Sequence, residues 1–271
     1  MPAQPLDGKV LAAALLAKLK AETAGLKRPP ALAVVWMGAD ASAASYRRGL
    51  AKACAAAGTL LVECGLPAEA GEKALRAEIL RLNAEGAVDG VLVQTPLPEG
   101  VSLEAAASVL APAKDAEGIS RAVVPCTAQA AFDLARASGV DFRGAEAVVV
   151  GRSPTVGKPV TILLSDAGCT VTICRSTTRD LAFHTRRAEI LVVAAGKAGL
   201  VRGDMLKSGA VVVDVGIHVV DGRVVGDVDA ASAAHVAAWL TPVPGGVGPL
   251  TSALIVARAV RAASRSELAR R

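Results

Sequence analysis

The sequence predicts an α/β protein of two domains, the second a Rossmann-type unit, and three observations carry that prediction. Apolar runs of strand length alternate with helix-length amphipathic segments through most of the chain, which is the pattern of parallel strands joined by crossover helices. Residues 147–159 read as a buried strand, a glycine turn and the start of a helix. The 271 residues are 52% hydrophobic but only 2% aromatic, enough for two modest cores built of Ala, Val and Leu.

Residues 8–26 read as a helix, because Val10, Leu11, Leu15, Leu16 and Leu19 recur at helical spacing. Pro29 and Pro30 stop it, and residues 31–37 form a buried strand. A turn at 38–42 leads into a helix at 43–58 that carries Tyr46 and Lys52. Residues 59–64 are a strand and 73–83 a helix. The strand at 89–94 ends on a polar residue, Gln94, before a proline turn. Ligands of parallel sheets gather beyond the carboxyl ends of strands, which makes Gln94 either a ligand-facing residue or a turn cap. A short helix at 103–110 precedes a turn at 114–119. Residues 129–138 form the next helix, with Thr127 as its cap.

The second domain opens on the strand 147–150. Gly151 ends it where the backbone turns tightly, Ser153 offers a hydroxyl at the helix start, and Gly157 lets helix and strand pack closely. Free N–H groups and the helix dipole would then face one point, an anion site of the dinucleotide kind; an ordinary βα turn is the alternative. The next strand, 168–174, ends without the acid that holds a ribose 2′-hydroxyl. Arg152, Arg175, Ser176 and Thr177 suit a 2′-phosphate instead, which favours NADP, unless the two arginines are solvated surface charges. Strands at 189–195 and 210–217 each run into a glycine, Gly196 and Gly216. A rigid Pro- and Gly-rich stretch at 241–251 leads to a last helix, 252–263, expected to pack back on the first domain. The division this gives is 1–138 plus 250–271 for the first domain and 139–249 for the second.

Several classes of function are excluded. No run of 18 apolar residues exists, and the N-terminus has no signal-peptide layout, so a cytoplasmic protein without membrane contact is expected. Five dispersed cysteines and three separated histidines give no metal-site spacing and read as buried free thiols. The net charge of +5 comes with one Tyr and three Phe, too few for base stacking, so no nucleic acid is expected. A basic cleft for a small acidic substrate accounts for the charge equally well.

Five segments in a fixed order, 89–98, 125–127, 151–159, 214–217 and 241–249, together resemble the methylenetetrahydrofolate dehydrogenase/cyclohydrolase family. The resemblance covers nearly the whole chain. It implies a folate-binding catalytic first domain, NADP on the second, a folate substrate and a homodimer. Carried over by position, it implies Tyr46, Gln94 and Glu117 as catalytic residues, and Gly151, Arg152, Ser153, Ser176 and Ile217 at the cofactor beside Arg175. Tyr46 and Gln94 also border the folate, walled by Pro242, Gly245, Gly246 and Pro249.

Three departures qualify this. The family carries Lys four residues after the tyrosine, where this chain has Leu50; Lys52 lies on another side of the helix, and Arg47 is no base. Glu117 replaces the family Asp, and the loop 118–125 is short. Dehydrogenation moves a hydride and needs no base, whereas hydrolysis of the methenyl product needs a proton acceptor. The expectation is an NADP-dependent dehydrogenase with cyclohydrolase weak or lost. The alternatives are a fully bifunctional enzyme and a non-catalytic folate/NADP-binding paralogue; shikimate-type dehydrogenases share the architecture but leave 241–249 unexplained.

Overall fold

The computed structural model describes residues 2–38 and 41–269. In chain order the first elements are β1 (Gln4–Pro5), α1 (Gly8–Thr23), β2 (Ala31–Met37), α2 (Ala41–Ala56), β3 (Leu60–Leu66), α3 (Gly71–Ala84), β4 (Gly90–Val93) and α4 (Leu103–Val109). Then come α5 (Cys126–Ala137), β5 (Glu146–Val150), α6 (Gly157–Asp166), β6 (Thr170–Cys174), α7 (Leu181–Thr185), β7 (Ile190–Val193) and β8 (Val211–Asp214). The chain ends with β9 (His218–Val220), β10 (Arg223–Val225), α8 (Ala230–Ala233), β11 (Trp239–Leu240) and α9 (Val247–Leu268). Part of the turn expected at 38–42 lies outside the described residues, as do residues 270–271.

Two compact units result, residues 12–126 with 252–271, and residues 1–11 with 127–251. The first is built on a three-stranded parallel sheet in the order β3-β2-β4. β2 is the centre because its run is apolar throughout and all but one of its residues are buried. Its neighbours in sequence lie on opposite sides of it, so the carboxyl ends of β2 and β4 flank a topological switch point. Helix α9 supplies Ile255, Val256, Ala259 and Val260 to the core that holds Leu32, Val34, Leu50 and Leu92. The far end of the chain therefore completes the first core, as its apolar face predicts.

The second unit holds a six-stranded parallel sheet, β1-β11-β8-β7-β5-β6. Strand order reverses at β5, placing the crevice outside the carboxyl ends of β5 and β7. The core is Val, Ala and Leu, including Val148, Val150, Leu191, Val193 and Val212. No helix among the described residues is long and apolar enough to cross a membrane.

The structure corrects several boundaries. Val10 is 64% exposed, and the core face of α1 is carried by Ala12 and Leu19. Helix α5 begins at Cys126, so Thr127 sits inside its first turn and is not its cap. The last helix spans Val247–Leu268, longer at both ends than its apolar pattern. Four cysteines are buried, but Cys64 is half-exposed at β3.

Candidate active site

In the first unit the site is assembled from α2, the ends of β2 and β4, and the segment after α4. Gln94 follows β4 directly, with its backbone N–H donating to Val35 O at 2.8 Å, and is only 4% exposed. Its Nε2 donates to Ala43 O at 2.8 Å, and its Oε1 accepts from Arg47 Nη1 at 3.1 Å. The Arg47 guanidinium lies over the Trp36 ring, 4.2 Å from the centroid, with its Nε 4.0 Å from Glu63 Oε1. Room for that indole comes from Gly65, which pairs with Trp36 across β2 and β3; a Cβ there would come within 2.7 Å of Trp36 Cζ2.

Tyr46 and Leu50 are one turn apart on α2, as the sequence places them. Tyr46 is half-buried. Burial pushes its phenol well above the usual tyrosine range, the nearby Glu117 carboxylate adds to that, and a hydrogen bond with Ser252 opposes it. Leu50 is 0% exposed within the apolar cluster, while Lys52 points to solvent. The cation that meets Gln94 is the Arg47 guanidinium.

The segment 114–126 is held by its own side chains. Lys114 Nζ donates to Leu82 O at 2.8 Å and Glu85 O at 2.7 Å, capping the end of α3. Asp115 accepts from the N–H groups of Gly118 (2.7 Å), Ile119 (3.2 Å) and Ser120 (2.8 Å) and from the Ser120 hydroxyl (2.6 Å), which shapes the short loop. Arg258 of α9 donates to Val124 O, and to Ala116 O at 3.4 Å. Glu117 is half-buried, and its carbonyl accepts from Cys126 N–H at 2.9 Å. Burial raises the Cys126 thiol far out of the reactive range, and it donates to Ala116 O at 3.3 Å.

In the second unit the turn after β5 fits a dinucleotide. Gly151 has φ +126°, and a Cβ there would overlap Ala194 O at the end of β7. Gly157 opens α6, and a Cβ there would overlap Gly151 O, so strand and helix meet as closely as expected. One expectation changes. The Ser153 hydroxyl accepts from Val156 N–H (3.1 Å) and Gly157 N–H (3.3 Å), its carbonyl accepts from Lys158 N–H (3.1 Å), and Pro159 has no N–H. The ring of free donors expected at the α6 N-terminus is thus consumed by Ser153. Positive charge for a phosphate is left to side chains, and Arg152, Arg175 and Ser176 are all exposed. Thr178 Oγ1 accepts from Arg175 N–H at 2.9 Å and fixes the turn after β6.

The loops at the ends of β7 and β8 are tied by two buried carboxylates. Asp214 accepts from Gly216 (2.9 Å), Asp227 (3.0 Å) and Val228 (2.9 Å) N–H groups, yet burial lifts its pKa to about 6. Asp227 is 0% exposed; its Oδ2 accepts from Ala195 (2.6 Å) and Gly196 (2.9 Å) N–H, and its Oδ1 lies 2.7 Å from His218 Nε2. Ile217, beside this cluster, is 71% exposed. In the 242–249 stretch, Gly246 N–H donates to Pro242 O at 2.7 Å and Gly8 N–H donates to Gly245 O at 3.1 Å. A Cβ on Gly8 would overlap Gly246 O, so the buried Gly245 and Gly246 have a packing reason of their own. Pro249 sits in the first turn of α9, where a missing N–H costs nothing.

Residues 6–117 match the tetrahydrofolate dehydrogenase/cyclohydrolase catalytic domain, and residues 125–267 match the NAD(P)-binding domain of the same family. The chain belongs to the tetrahydrofolate dehydrogenase/cyclohydrolase family. It is 46% identical to the bifunctional protein FolD of Polynucleobacter asymbioticus over 98% of this chain and 99% of that one. It is likewise 46% identical to FolD of Acidiphilium cryptum over 97% and 99%. Among solved structures, the Trypanosoma brucei methylenetetrahydrofolate dehydrogenase-cyclohydrolase, complexed with NADP and an inhibitor, superposes with a TM-score of 0.93 at 38% identity, covering 98% of this chain and 99% of that one.

For a member of this family, two features were not drawn from the sequence. The Arg47–Gln94–Ala43 set joins two places in the chain, one turn of α2 and the residue after β4, and no spacing in the sequence marks it. The His218–Asp227 pair closes across a hairpin, and its sequence signal was the turn dipeptide Asp221-Gly222.

Proposed function

We propose that this chain oxidises 5,10-methylenetetrahydrofolate to the 5,10-methenyl form with NADP, and that its cyclohydrolase activity is weak or lost. One observation carries the second half: position 50 is a fully buried leucine, and the cation on Gln94 is a guanidinium that does not give up its proton. NADP, when bound, supplies the hydride acceptor. The turn 151–157 admits the dinucleotide backbone closely, Arg152 and Ser153 line that turn, and Arg175 with Ser176 offers charge and a hydroxyl for a 2′-phosphate. Ile217 presents an apolar surface at the nicotinamide end. Tyr46 and Gln94 border the folate and orient its reacting carbon, with Glu117 near Tyr46 as the acid for the pterin. Orientation is most of what hydride transfer asks of a protein.

A general base contributes roughly 10²–10⁴-fold, so losing it reduces hydrolysis far more than oxidation. The test uses purified protein with methylenetetrahydrofolate and NADP, following reduced cofactor and methenyl product separately. Accumulating methenyl product supports the reading, and hydrolysis as fast as oxidation refutes its second half. Full bifunctionality is the second reading, favoured by relatives that are named bifunctional at 46% identity. Tight NADP binding without turnover would select a non-catalytic paralogue instead. The same reading includes a homodimer in the cytoplasm, the first part of which sedimentation measures directly.

A further inference from the structure

A carboxamide at the end of a strand normally has two nearly equivalent orientations, because its oxygen and nitrogen are similar in size. At Gln94 that degeneracy is removed. Ala43 O can only accept and the Arg47 guanidinium can only donate, so flipping the amide would break both contacts. Gln94 thus has one sense, with one N–H and one lone pair left over. Arg47 is itself held on three sides: its plane lies over Trp36, its Nε faces Glu63, its Nη1 is on Gln94, and its side chain is only 14% exposed. The Trp36 ring that carries it fits because the residue opposite is Gly65. This is a built arrangement, drawn from β2, β3, α2 and the end of β4.

We propose that Arg47 is a positioning residue for the reaction: its guanidinium locks the Gln94 carboxamide in the one orientation that meets the folate. The inference rests on the reading of Gln94 as a folate-bordering residue. A hydrogen bond to a charged group is worth enough that losing this one costs roughly 10- to 100-fold in a step that depends on the geometry it holds. The guanidinium also strengthens the remaining N–H of Gln94 as a donor, since it draws charge from the same amide. Unlike an amine, it does so at every pH the enzyme meets.

The test is a double-mutant cycle on the full chain with methylenetetrahydrofolate and NADP, using Arg47→Met, Arg47→Lys, Gln94→Leu and the Arg47→Met/Gln94→Leu pair. Arg47→Met should lower kcat roughly 10- to 100-fold while the KM for NADP stays within about 2-fold. In the Gln94→Leu background the same change should cost less than about 2-fold, because the guanidinium has nothing left to orient. Arg47→Lys should recover part of the rate and acquire a new alkaline limb, falling as pH rises through the amine pKa where the wild type stays flat. If Arg47→Met does not fold, the Lys variant in both backgrounds carries the same comparison. Equal losses in both backgrounds, or an Arg47→Met enzyme of wild-type rate beside a crippled Gln94→Leu, would overturn the inference alone. A Gln94→Leu enzyme of unchanged rate would overturn the placement of Gln94 at the folate, and this inference with it.

Discussion

Leu50→Lys restores the family residue at the one position where its loss matters most, and the structure says what that restoration costs. Leu50 is 0% exposed among Leu19, Leu32, Val34 and Cys54, so removing it gives up about 1.5–3 kcal/mol of burial, part of which the lysine stem recovers. An ammonium left in that cluster would have its pKa lowered by about 3–5 units, or roughly 4–7 kcal/mol at 1.36 kcal/mol each. The side chain has a better course. Helical side chains lean toward the N-terminus, so a lysine at 50 runs back over the turn that carries Tyr46 and Arg47. There its amine leaves the core but meets the Arg47 charge, which depresses its pKa further and favours the neutral base. The expected balance is a loss of about 2–4 kcal/mol, a fall in Tm of roughly 5–15 °C, and hydrolysis of the methenyl substrate raised at least about 10-fold. Calorimetry and a hydrolysis assay on the wild type and variant measure both. A variant as stable as the wild type, with hydrolysis unchanged, would refute the placement of residue 50 in the core beside the site.

Three further outcomes follow from the second unit. Gly157→Ala forces a Cβ against Gly151 O and should weaken NADP binding more than about 10-fold by calorimetric titration, since the backbone must open the cradle. Arg175→Ala should raise the KM for NADP roughly 10- to 100-fold and leave the KM for NAD nearly unchanged; equal effects on both would remove Arg175 from the 2′-phosphate. Asp214 has a folded pKa of about 6 against an unfolded 3.8, so its favourable contribution is full below 3.8 and is lost as pH rises through about 6. The difference is worth about 3 kcal/mol. Asp214→Asn should flatten the stability profile over that window while lowering stability throughout, because an amide oxygen replaces two acceptor oxygens that serve three N–H groups. Denaturant midpoints at pH 4 and pH 7 decide it, and equal slopes in both proteins would exclude Asp214 as the source.

Sequence reasoning was strongest where one residue's chemistry fixes one local conformation. Gly151 and Gly157 are legible because only a missing Cβ permits their contacts with Ala194 O and Gly151 O. The fully apolar β2 is legible because only a central parallel strand buries both faces. The two-residue strands β1 and β11 are not, since neither exists apart from its register with β8 and with the other. The β9–β10 hairpin carried its signal in Asp221-Gly222, but its exposed Val219 and Val220 do not alternate with a buried face and so read as loop. The anion site at α6 misled for a different reason. A serine at a helix start is a capping signal, and capping consumes the same N–H groups that an anion site would need.

Positions 47 and 50 of α2 are coupled by geometry. A lysine at 50 would share the turn of α2 that now holds Arg47, and two cations on adjacent turns repel. With leucine at 50, that turn has room for one cation, and Arg47 is drawn onto Gln94 and Trp36. A guanidinium on the carboxamide holds its orientation without offering a base. Arg47→Val in the Leu50→Lys background tests this coupling. If the two substitutions belong together, the double variant should regain part of the stability lost by Leu50→Lys alone, because the like charge beside the new amine is gone. If Arg47 and residue 50 act independently, the second change should only add the loss it causes by itself, within about 0.5 kcal/mol.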